Sequence, residues 1–233
     1  MKKRIWELDA ARGLALIGMI LIHLHYDLTE LFGLWDWNPG WYQLFKNNYG
    51  AVFLLISGIS ATLGSRPVKR GLLVFCCGFL CTGVTVGMYL LGFAGKDIII
   101  YFGVLQCLGC CMMLWPLFRR VSSALLAILA LAMIALGLWL RTAAFSFPWL
   151  TVLGFAPYGF ASSDYFPLFP NLGYFLLGAV LGRALYAEKR SRFPQEKPPA
   201  KFLQWMGRNS LLIYLLHQPV LAAAVGAIAM IRG

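Results

Sequence analysis

The first long apolar stretch of the chain reads DAARGLALIGMILIHLHYD over residues 9–27, and it contains both an arginine and a histidine. An α-helix turns by about 100° and rises by about 1.5 Å per residue. Arg12 and His23 therefore lie about 20° apart around the helix and about 16 Å apart along its axis. Asp9, Asp27 and Glu30 fall on the same side by the same geometry. The stretch predicts one long helix with a polar face.

Composition assigns the chain to the integral membrane proteins. Of its 233 residues, 60% are hydrophobic and 12% are charged, and the mean hydropathy is +0.72. A soluble domain has no interior large enough to bury so much apolar surface. We expect an all-α, polytopic membrane helix bundle that forms a single transmembrane domain over residues 1–233. Ionisable groups inside a membrane helix are expensive, so Arg12 and His23 are candidate functional residues.

Seven apolar segments are long enough, or nearly so, to cross about 30 Å of hydrocarbon. We therefore predict about seven transmembrane helices, at residues 8–32, 49–64, 70–93, 98–118, 121–140, 168–186 and 208–231. The start of the chain resembles a secretory signal, but polar residues interrupt the first segment and no small-residue cleavage site follows. We expect this segment to remain as the first span.

The net charge of +11 reports membrane topology rather than nucleic-acid binding, because the basic residues lie in short runs between apolar segments. With the N-terminus inside, fifteen Lys and Arg residues fall on the inner side. These are Lys2, Lys3, Arg4, Arg66, Lys69, Arg70, Arg119, Arg120, Arg183, Lys189, Arg190, Arg192, Lys197, Lys201 and Arg208. Four fall outside, namely Lys46, Lys96, Arg141 and Arg232. This asymmetry predicts an N-in, C-out protein of the plasma or inner membrane.

Three segments between the spans have distinct compositions. Residues 33–48 are rich in tryptophan around a Pro-Gly pair and predict an aromatic loop at the outer interface. Residues 142–167 are too polar to span and too apolar for a free loop, and predict a re-entrant or capping outer segment. Residues 187–201 combine prolines with charges and predict a cytoplasmic linker that touches anionic lipid.

Several motifs resemble those of membrane acyltransferases. The ten residues between Arg12 and His23 resemble the signature of the acyltransferase-3 family, as do FLLISG at 53–58 and SLLIYLLHQP at 210–219. Three further segments resemble the heparan-alpha-glucosaminide N-acetyltransferase catalytic domain and its small bacterial homologues: DAARG at 9–13, GVLQ at 103–106 and DYFPLFPNLG at 164–173. That branch carries Asn where this chain has His23, so His23 takes its role from the acyltransferase-3 pattern.

The resemblance implies transfer of an acetyl or other acyl group from cytoplasmic acyl-CoA. The acceptor would be a hydroxyl or amine of an outward-facing glycan, glycolipid or lipid-linked molecule. The site residues it implies are His23 and Asp27 for catalysis, Arg12, Asp9, Gln106 and Ser57 for the acetyl-CoA donor, and Asp164, His217 and Tyr214 for the acceptor. Acyl-CoA, the acceptor and membrane lipid are the expected partners, with a homo-oligomer possible and no nucleic acid.

Elementary chemistry agrees with this assignment. Acyl transfer needs a base for the acceptor proton, and histidine has a suitable pKa near neutrality. Asp27, four residues on, is placed to hold the ring of His23. Arg12 lies nearer the inner face and suits a CoA phosphate or a pantetheine carbonyl.

Each motif also has a structural interpretation that the sequence leaves open. Arg12 with Asp9 fits an interfacial ion pair, and His23 with Asp27 fits a hydrogen bond between helices. His217 fits a group that satisfies the carbonyl freed by Pro219. Glycine-containing motifs at Ser57-Gly58 and Gly178-x3-Gly182 fit tight helix packing. Asp164 fits a helix N-cap or an acceptor ligand, and His25, on the opposite side of the first helix, receives no role.

Two other classes of protein remain as alternatives. A small-solute transporter or channel also buries polar groups along a helix, although no inverted repeat is visible here. A haem-binding redox protein needs two facing imidazoles, which His23 or His25 with His217 would supply. The six cysteines lie inside predicted spans and are expected to be small hydrophobic residues, with no disulfide and no metal site.

Overall fold

The computed structural model describes residues 5–193 and 198–232, and this part of the chain contains helices without a β-strand. The all-α prediction is therefore confirmed. The helices are α1 (Trp6–Tyr26), α2 (Gly40–Asn48), α3 (Gly50–Leu63), α4 (Pro67–Leu90), α5 (Val104–Phe118), α6 (Ser123–Leu140), α7 (Leu168–Leu185), α8 (Pro198–Arg208) and α9 (Ser210–Arg232).

Within the described residues, five helices are long and apolar enough to cross a membrane. They are Trp6–Leu31, Pro67–Leu90, Ser123–Leu140, Leu168–Leu185 and Ser210–Ile231. The other two predicted spans, 49–64 and 98–118, contain the shorter helices α3 of 14 residues and α5 of 15 residues. A helical membrane bundle is therefore shown, and the number of seven spans stays a prediction. Among the residues counted for topology, Lys2, Lys3, Arg4 and Lys197 lie outside the described residues.

The chain divides into two compact units. The first comprises the described residues up to Phe53 together with those from Lys189 onward, and the second is Leu54–Glu188. The expected single domain over 1–233 stays a prediction. Each unit has its own packing and its own set of polar contacts.

In the first unit, α8 packs against α1 at backbone distance. A Cβ atom on Gly13 would overlap the carbonyl of Leu203, and a Cβ atom on Gly207 would overlap the carbonyl of Asp9. Glycine at both positions lets the two backbones approach this closely. The predicted linker at 187–201 is wrong in its last residues, since α8 begins at Pro198. Proline is favoured in the first turn of a helix because its missing N–H has no partner there in any case.

The first helix does not keep one geometry to its end. After Tyr26 the backbone continues as a π-helical turn, Asp27–Leu31. A π-turn contains more residues than an α-turn, so the 100° rule that placed Glu30 on the face of His23 fails beyond this point. Glu30 instead pairs with Lys46 of α2, at 2.7 Å between Oε1 and Nζ. The aromatic segment 33–48 is likewise partly helical, because α2 begins at Gly40.

The second unit has an apolar core between α5, α6 and α7, in which Phe175, Leu176 and Cys107 are fully buried. Helix α7 approaches α3 through glycines. A Cβ atom on Gly178 would overlap the carbonyl of Leu55, and one on Gly58 would overlap the carbonyl of Phe175. The predicted tight packing of both glycine motifs is confirmed.

The segment 142–167 contains no α-helix and folds against the residues before α5. The Ser162 hydroxyl donates to the carbonyl of Ile99 at 2.9 Å, and the N–H of Phe166 donates to the carbonyl of Phe102 at 2.9 Å. The predicted span 98–118 therefore starts too early, because residues 98–103 bond to this segment instead of continuing the helix. Its position relative to the membrane stays a prediction.

Candidate functional site

One end of the polar face of α1 carries a cluster of charged groups, which includes two arginines and one aspartate. The guanidinium of Arg12 lies 3.0 Å from Asp9 Oδ1, and Arg208 Nε lies 3.5 Å from Asp9 Oδ2. Arg12 also donates to the carbonyl of Gly207 at 3.4 Å, and Arg208 to Gln204 Oε1 at 2.9 Å. Asp9 is buried at 8% exposure. With two cations around one carboxylate, these three side chains carry a net positive charge.

The predicted ion pair between Arg12 and Asp9 is thus present. Arg208 was counted in the sequence only as a topological charge. Its place beside Asp9 follows from the packing of α8 on α1, since 199 positions separate the two residues in the chain.

About 16 Å further along α1, His23 meets His217 of α9. Their ring centroids lie 4.8 Å apart in an edge-to-face arrangement. Tyr214, one turn before His217, lies 5.3 Å from it between ring centroids. His217 is buried at 9% exposure and His23 is half-buried. The structure therefore brings together three of the predicted site residues from both ends of the chain.

The tautomer of His217 follows from its hydrogen bond. Its Nδ1 lies 2.5 Å from the carbonyl oxygen of Tyr214, and a carbonyl only accepts hydrogen bonds. Nδ1 is therefore the protonated nitrogen, and Nε2 keeps the lone pair when the ring is neutral. This Nε2 is buried and has no hydrogen-bond partner among the described residues. Pro219 frees the carbonyl four residues before it, that of Leu215, so His217 does not fill the structural role considered for it.

Asp27 has a different partner from the one predicted. It is fully buried, and its Oδ1 accepts a hydrogen bond from Gln218 Nε2 at 2.7 Å. Within the described chain Asp27 makes no hydrogen bond to His23, so the direct contact expected from the i, i+4 spacing is wrong. Gln218 also interacts with the ring of His23. Asp27 is the first residue of the π-turn, and a side chain from α9 lies at its carboxylate.

The remaining predicted residues lie in the second unit and bond within it. Gln106 is buried, accepts from the N–H of Gly103 at 3.0 Å and donates to Thr82 Oγ1 at 2.9 Å. Asp164 accepts from the N–H of Val104 at 3.0 Å. Both side chains thus satisfy the start of α5, where backbone N–H groups lack helical partners.

Asp164 therefore acts at the N-terminus of α5, and not at that of α7, which follows it in the chain. Ser57 lies half-buried on α3 beside the tightly packed Gly58. The donor and acceptor roles predicted for Gln106, Ser57 and Asp164 stay predictions.

His25 belongs to an aromatic cluster near the π-turn. Its ring lies 4.1 Å from that of Tyr42 and 5.7 Å from that of Trp37, between centroids, and its Nε2 lies 2.7 Å from the Trp37 carbonyl. Trp35 and Trp37 stack at 5.6 Å. Burial and the Glu30 carboxylate raise the pKa of Tyr42. His25 is therefore packed within this aromatic cluster.

The geometry of the two site histidines also bears on the haem alternative. Iron must lie between two axial imidazoles, whereas the rings of His23 and His217 touch each other. In this arrangement they leave no space for a porphyrin. The six cysteines are free, and the described residues contain no group of three or more His, Cys, Asp or Glu that could hold a metal.

Comparison with known proteins identifies the family. Residues 4–219 match the family model for the catalytic domain of heparan-alpha-glucosaminide N-acetyltransferase. No curated protein and no solved structure matches the chain. The matched region extends from α1 into α9 and includes both histidines of the pair, together with Arg12 and Asp27. The chain is therefore a helical membrane protein of the heparan-alpha-glucosaminide N-acetyltransferase catalytic family, and a transferase of acetyl groups.

Proposed function

We propose that this protein transfers an acetyl group from cytoplasmic acetyl-CoA to a hydroxyl or amine of an outward-facing glycan, glycolipid or lipid-linked acceptor. The observation that carries the proposal is the contact between His23 and His217 on the face of α1 that also holds Arg12. A buried imidazole pair supplies proton transfer, and a cation one CoA-arm length away supplies donor binding. Family membership supports the same chemistry.

In this mechanism His23 is the general base. It takes the proton from the acceptor while the acceptor oxygen or nitrogen attacks the thioester carbonyl. The C–S bond then breaks, and the departing CoA thiolate receives the proton from His23. His217 offers its free Nε2 lone pair as a hydrogen-bond acceptor for the second N–H of an amine acceptor or for a neighbouring hydroxyl of a glycan acceptor. The ring of Tyr214 lies beside His217 at the same site.

The donor is held at the other end of α1. Arg12 and Arg208 present guanidinium groups to a phosphate or a pantetheine carbonyl, and Asp9 holds both arginines in place. The distance of about 16 Å from Arg12 to His23 suits the pantetheine arm, which would carry the thioester from the cluster to the imidazoles.

We expect Arg12→Ala to weaken acetyl-CoA binding by about tenfold or more, because one charge-assisted contact to the donor is lost. Arg12→Lys should recover only part of the affinity if the contact is bidentate. Isothermal titration of the purified protein with CoA measures the effect. Lys46→Ala, which removes a distant cation, serves as the control. Equal affinity of Arg12→Ala and wild type would reduce Arg12 to a helix anchor.

Sidedness provides a separate test. Ala161 and Ala187 are both exposed, and unlike Ser162 and Ser191 they have no side-chain hydrogen bonds to disturb. Single cysteines at these positions, in a chain whose six cysteines are changed to alanine, should differ in labelling by an impermeant thiol reagent in intact cells. We expect labelling at 161 and none at 187 until the cells are opened. The reverse pattern would invert the direction of transfer.

A further inference from the structure

Gln218 has no role in the mechanism proposed above for His23 and Arg12. It follows His217 on α9, and its Nε2 donates to Asp27 Oδ1 at 2.7 Å across 191 residues of sequence. Asp27 is fully buried, and its second oxygen has no hydrogen-bond partner among the described residues. A buried carboxylate with one partner makes a strong, directional acceptor. The Asp27 carboxylate therefore fixes the orientation of the Gln218 amide.

The hydrogen bond from Gln218 Nε2 to Asp27 leaves the amide oxygen of Gln218 available to another partner. A glutamine side chain has one NH2 donor group and one carbonyl oxygen. One N–H of the amide is bonded to Asp27 Oδ1, and the oxygen is the only acceptor atom that the amide can offer to a ring N–H of His23. Gln218 Oε1 is buried and has no hydrogen-bond partner in the described chain. A buried acceptor without a donor is unfavourable, and a ring N–H of His23 would satisfy it.

We propose that Gln218 is a positioning residue that links the Asp27 carboxylate to the ring of His23 through hydrogen bonds of its amide. This inference rests on the proposed function, in which His23 is the base. With one ring N–H held at Gln218 Oε1, the other nitrogen of His23 carries the lone pair that takes the acceptor proton. Gln218 itself neither gains nor loses a proton. Asp27 polarises the amide and strengthens its oxygen as an acceptor when His23 becomes an imidazolium ion.

A purely structural interpretation of the same bond is a link between α1 and α9. The two interpretations differ in what they predict for turnover. A helix link affects folding and affects all kinetic parameters together, whereas a positioning residue affects the chemical step. Exchange of the carboxylate at position 27 with the amide at position 218 distinguishes the two interpretations further. In Asp27→Asn/Gln218→Glu, the new amide at position 27 would donate to the new carboxylate at position 218, which then faces His23 directly.

The test compares Gln218→Met, Asp27→Asn, the double variant of both, and Asp27→Asn/Gln218→Glu in the full chain. Methionine keeps the length of glutamine without its polar atoms. We expect Gln218→Met to lower kcat roughly 10-fold to 100-fold, a loss like that seen when the hydrogen-bond partner of a metal-bound histidine is removed, with an unchanged KM for acetyl-CoA. Asp27→Asn/Gln218→Met should be no slower than the slower single variant, and the exchanged pair should be faster than Asp27→Asn.

Wild-type kcat in Gln218→Met would overturn the inference, as would additive losses in Asp27→Asn/Gln218→Met. A variant that fails to elute as a single species by size exclusion is replaced by Gln218→Leu, judged by the same criteria. Failure of the proposed function looks different. In that case His23→Ala would turn over like wild type, whereas failure of this inference alone leaves His23→Ala inactive and Gln218→Met active.

Discussion

His23→Ala should retain the fold and lose acetyl transfer by about 10²-fold to 10⁴-fold, the range expected when a general base is removed. The substitution removes an imidazole that is half-buried, and it leaves His217 bonded to the Tyr214 carbonyl. Affinity for CoA should remain, because Arg12 lies about 16 Å away along α1. Steady-state release of CoA, measured together with binding of CoA to the same preparation, separates the two effects.

His25→Ala is the matched control for this experiment. It removes an imidazole from the same helix two residues further on, where the ring packs against Tyr42 and Trp37. Some loss of stability is expected there, without the loss of turnover. Equal turnover in His23→Ala and wild type would contradict the base assignment. Equal loss in both variants would show that any imidazole removed from α1 disturbs the helix.

The second large effect concerns the contact between α1 and α8. Gly207→Ala places a Cβ atom on the carbonyl of Asp9, so the two backbones must separate. Overpacking of this kind costs about 3 kcal/mol or more when backbone rather than a side chain must move, which lowers the Tm by something on the order of 10 °C for a chain of this size. Arg208 would move away from Asp9, and CoA affinity should fall as well.

Gly83→Ala adds the same methyl group to a helix in open space, since nothing lies within 4 Å of the new atom. Alanine is the better helix former, so Tm should stay equal or rise. Thermal unfolding of both variants in the same detergent gives the comparison. A Tm of Gly207→Ala equal to that of Gly83→Ala would mean that α8 does not pack on α1 through this glycine.

The apolar segments predicted most of the helices, because length and hydropathy alone define a membrane span. Their ends depend on local chemistry that hydropathy ignores. Helix α4 starts at Pro67, three residues before the predicted start at residue 70. Helix α5 starts at Val104, six residues after the predicted start at residue 98, because Gln106 and Asp164 satisfy the N–H groups at its beginning. Helix α8 was missed because its apolar face is only a few residues long and follows a proline-rich, charged stretch.

The candidate site was predictable as a list of residues rather than as a set of contacts. His23 and Arg12 followed from helical spacing, because a continuous α-helix fixes both azimuth and rise. Asp27 lies where that spacing gives way to a π-turn, and its partner Gln218 comes from the far end of the chain. No local rule connects residues so distant, so the contact required the fold. Gln218 lies within the motif SLLIYLLHQP at 210–219, but the predicted roles in that motif belong to His217 and Tyr214.

The most direct test of the proposed function is transfer of label from acetyl-CoA. Purified protein in lipid nanodiscs would be incubated with acetyl-CoA carrying ¹⁴C in the acetyl group and with a lipid and glycan extract of cell membranes as the acceptor pool. Free CoA and labelled extract would both be measured. We predict that wild-type protein releases CoA and labels the extract in equal amounts, and that His23→Ala does neither while still binding CoA. Absence of acetyl-CoA binding by the wild type, or equal labelling by wild type and His23→Ala, would contradict it.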